Sequence, residues 1–529
     1  MSFDAHLSRP VVYAANGMAS SGQPLASLAA IRVLEDGGNA MDAAVAASAV
    51  LSVLDPAASG VGGDVFYTYY DASTGKLDTL VGSGRAGRAA HAERFRDAIP
   101  ASGPLAPTVP GIVRGWEDAL NRHGSRSLAS MLEPAIRHAR EGFALSARVA
   151  GAFRRKEHLL LKNRASVECY QRDGRWPVAG EKLRLPDLAD SLETIAKEGA
   201  ATFYTGALAD RIVTALAAEG GILDREDFAG YESPFEDPLT IDYRGYQVAV
   251  PPPPTLGAAL LAQLALLQQV APTAGSWESP EWQHLLLEAK KASFADLEAY
   301  LTDPKFTTVH PASYLSPTYV ETRGKAISRT KAALYEPGSV DSRLGHTICL
   351  AVADKAGNVV SWIQSVFNEF GSCWMAPGTG FVLNNRMFGF SATPGHVNAP
   401  APGKRTAHTL HCPMVLKDGK PVLVVSTPGD YGQTQSNLQM ITNFIDHGFD
   451  VQRMIEAPRW RSLEGLKVAI ESRFPEATID QLRALGHDLE VVAPWTDLMG
   501  GAVAIHIDQK NGTLAGAGDP RRECYAVGY

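Results

Sequence analysis

The sequence predicts an α+β protein, because strand hairpins and buried helices both occur along its 529 residues. In Leu344–Ser365 an apolar run, an Asp-Lys-Ala-Gly-Asn turn and a second, β-branched run predict two paired strands. Ala43–Leu54 is almost wholly small and apolar, which is typical of a helix buried against a sheet. A chain of this length exceeds the needs of one ordinary core, so we expect several units or one large layered one.

Composition narrows the class of protein. The apolar fraction of 45% and the charged fraction of 20% are those of a globular protein, and the net charge of -8 argues against a nucleic-acid partner. The longest apolar stretches are about a dozen residues, too short to span a bilayer, so we expect no membrane association. The first ten residues lack a secretory pattern. Five scattered cysteines indicate thiols in a reducing compartment, so the cytoplasm is the expected location.

Further elements follow from periodicity and turn residues. Residues 20–54 predict a helix pair whose second member is capped by Asn39. Residues 305–343 are interpreted as irregular, without a strong element. The remaining predictions are strands at Asp64–Tyr70, Lys76–Val81, Leu239–Tyr243, Tyr246–Val250 and a pair within Met414–Thr427, and helices at Leu132–Gly142, Leu188–Glu198, Ala207–Glu219, Ala258–Gln269, Pro280–Tyr300 and Asn437–Asp446.

A glycine-rich loop, Gly82-Ser-Gly-Arg-Ala-Gly87, has the spacing of a dinucleotide-binding turn. That interpretation fails because Pro100 interrupts the helix that should follow and no acidic residue ends a second parallel strand. We therefore predict no cofactor. A loop that carries Arg85 and allows close approach of a ligand is the better description.

Several common chemistries are absent from the sequence. It contains no Gly-x-Ser-x-Gly elbow, no phosphate-binding Gly-Lys-Thr/Ser loop and no His-Glu-x-x-His helix. His408 and His411 form an isolated His-x-x-His pair without a nearby third ligand, so no metal is predicted.

Thr347 lies where the polar, turn-like segment Ser339–Gly345 gives way to the first strand of the hairpin. A threonine that merely begins a strand is the commoner case for such a stretch. The alternative is that the chain is cut between His346 and Thr347, which would make Thr347 both an N-terminus and a nucleophile.

A series of short blocks is spread over nearly the whole chain. The blocks begin at Gly37-Gly-Asn-Ala-Met-Asp, Val109-Pro-Gly, Glu133-Pro-Ala-Ile, Asp242-Tyr-Arg-Gly-Tyr, Phe294-Ala-Asp, Asp354-Lys-Ala-Gly-Asn, Phe370-Gly-Ser, Gly380-Phe-Val-Leu-Asn-Asn, Gly403-Lys-Arg, Pro428-Gly429, Ala457-Pro-Arg and Gly518-Asp-Pro-Arg. In this order they resemble the γ-glutamyltranspeptidase family of N-terminal-nucleophile hydrolases. The resemblance implies a four-layer α/β/β/α sandwich. It also implies self-cleavage into a large subunit, 1–346, and a small subunit, 347–529, which form a heterodimer or a dimer of heterodimers.

The same resemblance assigns the catalytic residues. Thr347 falls on the family nucleophile, whose hydroxyl needs a base that the freed α-amine can supply. Ser365 falls on a hydroxyl residue that supports it. Gly429 and Asp430 fall on the two-glycine loop whose backbone N–H groups form the oxyanion hole. Asp430 is a departure, because its side chain adds negative charge near a developing oxyanion.

Other departures bear on the substrate. The family holds the substrate α-carboxylate with an arginine and two serines, and the α-amine with acidic and amide side chains. Exchanging an acid for Gly389 and adding Arg386 removes the reason to bind an ammonium and favours a carboxylate or carbonyl. The predicted substrate-binding residues are Arg85, Phe367, Arg386, His408 and Thr409, with Ser83 at the expected arginine position.

This pattern is similar to the branch that includes oxamate amidohydrolase and the cephalosporin and glutaryl acylases. It predicts an amidohydrolase that acts on a small amide with a carboxylate- or keto-acid-bearing acyl group. Two alternatives stay open. The first is a γ-glutamyl hydrolase or transpeptidase acting on glutathione-like amides, with Arg85 replacing the missing arginine.

The second alternative is an unprocessed, non-catalytic relative, suggested by His346 and Ile348, which flank Thr347 where many relatives carry more polar residues. A denaturing gel separates this alternative from the enzymes. One band indicates the silent protein, and two bands of about 37 and 19 kDa, in proportion to residue number, indicate the processed enzyme.

Overall fold

A computed structural model describes residues 8–309, 311–336 and 346–529. The side chains of Glu298, Pro311, Ala312 and His346 lie outside this description, as do residues 337–345, on which the predicted connector Ser339–Gly345 falls.

Short runs of helices and short runs of strands follow one another along the described chain. The strands are β1 Val12–Ala14, β2 Met18–Ser21, β3 Asp64–Asp71, β4 Lys76–Gly82, β5 Phe143–Ala144, β6 Lys182–Leu183, β7 Phe235–Glu236, β8 Leu239–Tyr243, β9 Tyr246–Val250, β10 His346–Ala353, β11 Val359–Phe367, β12 Met414–Lys417, β13 Lys420–Ser426, β14 Trp460–Ser462, β15 Lys467–Glu471, β16 Asp488–Val492, β17 Val503–Asp508, β18 Thr513–Gly518 and β19 Tyr525–Gly528. The helices are α1 Pro24–Glu35, α2 Ala40–Leu54, α3 Ile112–His123, α4 Leu128–Glu141, α5 Ala147–Leu160, α6 Arg164–Tyr170, α7 Pro186–Glu198, α8 Ala201–Tyr204, α9 Ala207–Ala218, α10 Arg225–Ala229, α11 Gly257–Val270, α12 Pro280–Tyr300, α13 Pro317–Lys325, α14 Gly432–Ile445, α15 Val451–Glu456 and α16 Glu476–Ala484.

Two seven-stranded sheets form the centre of the molecule. One has the order β1-β18-β17-β13-β12-β9-β8, and the other has the order β19-β2-β10-β11-β3-β4-β7. An apolar layer that includes Phe66, Cys349 and Val424 lies between the two sheets, and separate apolar layers join each sheet to its helices. The predicted four-layer α/β/β/α sandwich is therefore confirmed.

The predicted elements agree with the structure except in one segment. The hairpin of β10 and β11 is confirmed, and Asn39 caps α2 through a capping box with Asp42. The interpretation of residues 305–343 as irregular was wrong, because α13 lies within them. Ser316 caps this helix and Pro317 occupies its first turn, where a missing N–H is harmless. Its nine residues were too few for a clear helical period.

Side-chain alternation along the strands of the second sheet brings one row of residues toward the layer between the sheets. On β10, Ile348 and Leu350 face the helices, whereas Cys349 and Ala351 face the other sheet. Ile363 on β11 also faces the other sheet, so Ser365, two residues further, lies on the same side. The ends of these strands therefore point polar side chains into one end of the interface between the sheets.

Both sheets mix strands from either side of Thr347. In the sheet that contains β10, strands β2, β3, β4 and β7 come from residues 1–346, and β10, β11 and β19 contain residues from 347–529. The other sheet likewise pairs β9 with β12 and β1 with β18. Two pieces cut before Thr347 would remain joined through backbone hydrogen bonds in both sheets.

Among the residues described, no helix combines the length and the apolarity that a membrane crossing requires.

Candidate active site

The side chain of Thr347 lies at an irregularity in the hairpin. His346 pairs with Phe367 and Ile348 pairs with Gln364, so the register shifts at the residue between them. A β-bulge of this kind re-aims a side chain without breaking the sheet. Thr347 is buried, and its Oγ1 donates a hydrogen bond to Ser365 Oγ over 3.2 Å.

Ser365 has contacts on both neighbouring strands. Its Oγ accepts a hydrogen bond from the backbone N–H of Phe367 over 2.8 Å, which directs the hydroxyl toward Thr347. On the other side, Ser365 is the cross-strand partner of Asp64, the first residue of β3. Thr347, Ser365 and Asp64 therefore stand side by side on three adjacent strands.

Asp64 is fully buried and collects hydrogen bonds from three parts of the chain. Its Oδ2 accepts from Arg386 Nε at 2.7 Å and lies 3.2 Å from His408 Nε2, and its Oδ1 accepts from the backbone N–H of Gly84 at 3.3 Å. The side chain thus joins two predicted substrate-binding residues to the row that begins at Thr347. Sequence reasoning missed Asp64, although an acidic residue opening the aromatic strand Asp-Val-Phe-Tyr-Thr-Tyr-Tyr was a usable signal.

Charge in this cluster is nearly balanced. Burial alone would raise the pKa of Asp64, but the hydrogen bond from His408 and the charge of Arg386 outweigh it, so the pKa lies below its ordinary value. Burial and the neighbouring Arg386 charge lower the pKa of His408 to about 4. At neutral pH the cluster therefore contains a carboxylate, a guanidinium and a neutral imidazole.

Arg386 and Phe367 contact each other directly. The guanidinium carbon of Arg386 lies 4.4 Å from the centre of the Phe367 ring, within cation–π range. Phe367 has φ +81, a left-handed conformation that is unusual for an aromatic residue and that marks strain near the hairpin end. Arg386 Nη2 is buried and has no hydrogen-bond partner among the residues the structure describes. That N–H group can donate to a ligand atom.

Gly429 and Asp430 lie between the end of β13 and the start of α14. Both have positive φ, +137 and +54, so the backbone turns sharply there. Cys349, two residues after Thr347, contacts the carbonyl oxygen of Ser426 at the end of β13 through its Sγ, at 3.4 Å. Asp430 also lies close enough to Arg386 for its negative charge to oppose the lowering of the Arg386 pKa by burial. The loop thus belongs to the same end of the sandwich as Thr347 and Arg386.

Two further hydroxyls lie buried near the cluster. Thr409 follows His408, and Ser83 precedes the Gly84 whose N–H binds Asp64. Neither hydroxyl oxygen has a hydrogen-bond partner among the residues described. Gly389 lies nearby, and a side chain added there would come within 3.0 Å of Thr406 Oγ1. These positions leave polar atoms for a ligand and little space for a larger side chain at position 389.

Arg85 has structural partners. Its Nη1 donates to the carbonyl oxygen of Gly403 at 3.0 Å and lies 3.5 Å from Asp303 Oδ2. Arg405 shares the same carboxylate, through its backbone N–H at 3.0 Å. Arg85 therefore joins the glycine loop to the segment before Arg405, whereas Arg386 and His408 meet at Asp64.

His411 does not extend the cluster. Its ring contacts the carbonyl oxygen of Thr409 at 3.2 Å and the side-chain amide of Asn437 at 3.0 Å. Arg522, also missed from the sequence, places Nη1 3.5 Å from the carbonyl oxygen of Thr347 and so supports the backbone there.

The chain is similar to one protein family and to several known proteins over most of its length. The family model described as Gamma-glutamyltranspeptidase matches residues 26–529. A Bacillus subtilis protein named glutathione hydrolase-like YwrD proenzyme is 40% identical over 95% of this chain and 97% of its own length. The oxamate amidohydrolase proenzyme of Klebsiella pneumoniae is 35% identical over 97% of this chain and 98% of its own length.

Solved structures show the same relationship in three dimensions. The crystal structure of cephalosporin acylase from Bacillus halodurans superposes with a TM-score of 0.94 at 35% identity, covering 100% of this chain and 98% of that one.

Proposed function

Because the chain belongs to the γ-glutamyltranspeptidase family and is an amide hydrolase, we propose that it cuts itself between His346 and Thr347 and then hydrolyses a small amide through Thr347. The acyl group of that amide carries a carboxylate or a keto acid. The observation that carries the proposal is the row of Thr347, Ser365 and Asp64, with Arg386 bound to its far end.

The nucleophilic step uses Thr347 and Ser365. The Oγ1 of Thr347 attacks the amide carbonyl while the α-amine freed by the cut accepts its proton. Ser365 holds the hydroxyl in place through the 3.2 Å hydrogen bond. The backbone N–H groups of Gly429 and Asp430 stabilise the oxyanion, and each such donor is worth about 3 kcal/mol. The departing amine takes the proton from the α-amine, and water then releases the acyl group from Thr347.

Recognition of the acyl group uses Arg386, which Asp64 holds in place. Asp64 already satisfies Nε of Arg386, which leaves Nη2 as a buried donor among the described residues. A carbonyl or carboxylate oxygen of the substrate would accept from it and remove the cost of an unpaired buried donor, about 1–3 kcal/mol. An ammonium group would instead face a guanidinium, with Gly389 where an acid would be needed.

Relatives support an amide substrate of this type. The Klebsiella relative is named an oxamate amidohydrolase, and the Bacillus halodurans structure is named a cephalosporin acylase. The YwrD relative carries a glutathione hydrolase-like name, which keeps γ-glutamyl amides as the second candidate. The interleaved strands of both sheets support a heterodimer that persists after the cut.

Intact-mass analysis followed by a substrate panel tests the proposal. We expect fragments that meet at His346 and Thr347, and faster hydrolysis of oxamate- or glutaryl-type amides than of a γ-glutamyl anilide. Thr347→Ser is the matched control, because it keeps a hydroxyl nucleophile. A preference for the γ-glutamyl anilide contradicts the substrate assignment, and an uncut, inactive protein contradicts the mechanism.

A further inference from the structure

A second polar cluster lies in the helical layer outside the first sheet, between α12 and the loop before β16. His284 and Glu288 are one turn apart on α12, so both side chains lie on the same face of the helix. His487 faces them: its Nε2 lies 2.8 Å from His284 Nδ1 and 3.9 Å from Glu288 Oε1. The three side chains are buried, and their donor atoms lie within 4.8 Å of one another.

Outer contacts orient two of these side chains. His284 Nε2 is 2.9 Å from the carbonyl oxygen of Ser328, which fixes the N–H on that nitrogen and directs the Nδ1 lone pair toward His487. Glu288 Oε2 accepts from the hydroxyl of Tyr335 at 2.6 Å and the backbone N–H of Ala333 at 3.2 Å. A carbonyl oxygen that accepts from a ligating histidine, and N–H or O–H groups that donate to a ligating carboxylate, are the usual second layer of a metal site.

We propose that His284, Glu288 and His487 bind one divalent cation of the zinc class. Two imidazole nitrogens and one carboxylate oxygen form a donor set that suits zinc, nickel or cobalt. The His284–His487 nitrogen pair must open from 2.8 Å to about 3.4 Å to accept a tetrahedral ion with bonds of about 2.1 Å.

The proton on His487 Nε2 can move to Nδ1 of the same ring when a cation binds. In the structure His487 Nε2 donates to His284 Nδ1, because Nδ1 of His284 is the acceptor. His487 Nδ1 has no hydrogen-bond partner among the described residues. A change of tautomer moves the proton from Nε2 to Nδ1 and frees Nε2 for the cation, without release of a proton.

Lys291 competes with the cation for Glu288. Its Nζ lies 2.6 Å from Glu288 Oε1 and also donates to the carbonyl oxygen of Ala333 at 2.8 Å. The ammonium keeps the Ala333 contact when the ion takes Glu288. Removing the charge of Lys291 should therefore strengthen metal binding.

The site would join parts of the chain on both sides of Thr347. His284 and Glu288 precede it, whereas His487 follows it. If the proposed cut takes place, the cation becomes a link between the two subunits. Metal binding itself does not depend on the cut, so failure of one proposal leaves the other intact.

The test uses the full chain, treated with a chelator, dialysed and titrated with Zn²⁺ alone by calorimetry. Metal content and the visible spectrum of the Co²⁺ form are measured in parallel. Wild type and His158→Gln, an exposed position on α5, should each bind one high-affinity equivalent and show a rise in Tm. His487→Gln should lose that equivalent, and Lys291→Met should bind at least 10-fold more tightly.

The two variants are expected to change zinc affinity in opposite directions, so the test remains decisive even if one of them misfolds. If His487→Gln does not fold, the Lys291→Met titration decides alone, and an affinity no tighter than wild type overturns the proposal. Equal zinc content in wild type and a folded His487→Gln protein overturns it as well. A Co²⁺ spectrum without tetrahedral features would show that the ion binds elsewhere.

Discussion

The two halves of the candidate active site are positioned by different kinds of force. Backbone register sets Thr347 and Ser365: a bulge and one cross-strand pair place their hydroxyls 3.2 Å apart. Charge sets the other half, where Arg386 and His408, distant in sequence, meet at the buried carboxylate of Asp64. The proposed chemistry therefore rests on strand pairing, whereas the proposed recognition rests on side chains that can be exchanged one by one.

Removing the nucleophile should have the largest effect. In Thr347→Ala the hydroxyl is absent, so we expect no cut and a loss of hydrolysis of about 10³-fold or more. Electrophoresis and a rate assay measure both. Thr347→Ser should restore both the cut and hydrolysis in part. An alanine variant that is still cut would show that Thr347 is not the nucleophile.

Breaking the charge cluster should affect stability more than any other change there. Asp64→Asn leaves the buried guanidinium of Arg386 without its counter-ion, which should cost about 3–5 kcal/mol of unfolding free energy. Urea denaturation measures it. The exposed Asp242→Asn on β8 is the control.

A double variant sharpens this test. Asp64→Asn combined with Arg386→Met removes both charges and should recover a large part of the loss. If the losses of unfolding free energy simply add in the double variant, the ion pair of Asp64 and Arg386 does not stabilise this part of the site.

Ser365→Ala probes the half that register controls. It removes the acceptor for Thr347 and for the Phe367 N–H, so we expect a loss of kcat of about 10- to 10²-fold and of stability of about 1–3 kcal/mol. Steady-state kinetics with the preferred amide measure the first effect. Unchanged kcat would mean that the bulge alone positions Thr347.

Lowering the pH should reduce the stability of the folded protein, because His408 is buried in the cluster around Asp64. Its pKa is about 4 in the folded protein and 6.5 in the unfolded chain, so between these values only the unfolded chain takes up the proton. Stability therefore falls as the pH is lowered through this range, by about 2 kcal/mol from pH 7 to pH 5 for this residue. His408→Gln should give a shallower dependence of the urea midpoint on pH than the exposed control His91→Gln.

Arg85→Ala should have the smallest effect. Arg85 is partly exposed and contacts Asp303 and Gly403, so we expect a loss of at most about 1 kcal/mol. The KM for the amide should stay within about 3-fold of wild type, because Arg386 supplies the proposed recognition. A large rise in KM would move recognition to the glycine loop and favour the γ-glutamyl alternative.

The sequence predicted the first half of this comparison better than the second. Alternation and turn residues identified the hairpin, and the collinear blocks supplied the layer order that periodicity alone does not contain. Asp64 was missed because nothing local shows that a carboxylate at the start of β3 meets residues 386 and 408. The small helix α13 was missed because its amphipathic pattern is short. Contacts between segments that are distant in sequence can be identified only once the fold is known.

Strand order also has a consequence for when the chain can mature during its synthesis. Strand β10 pairs with β2, and β2 pairs in turn with β19, so the sheet around Thr347 is incomplete until residue 528 has emerged from the ribosome. At about 5–20 residues per second, roughly 10–40 seconds separate the synthesis of Thr347 from that moment. If the proposed cut needs the complete sheet, it acts as a checkpoint that only chains translated through β19 can pass.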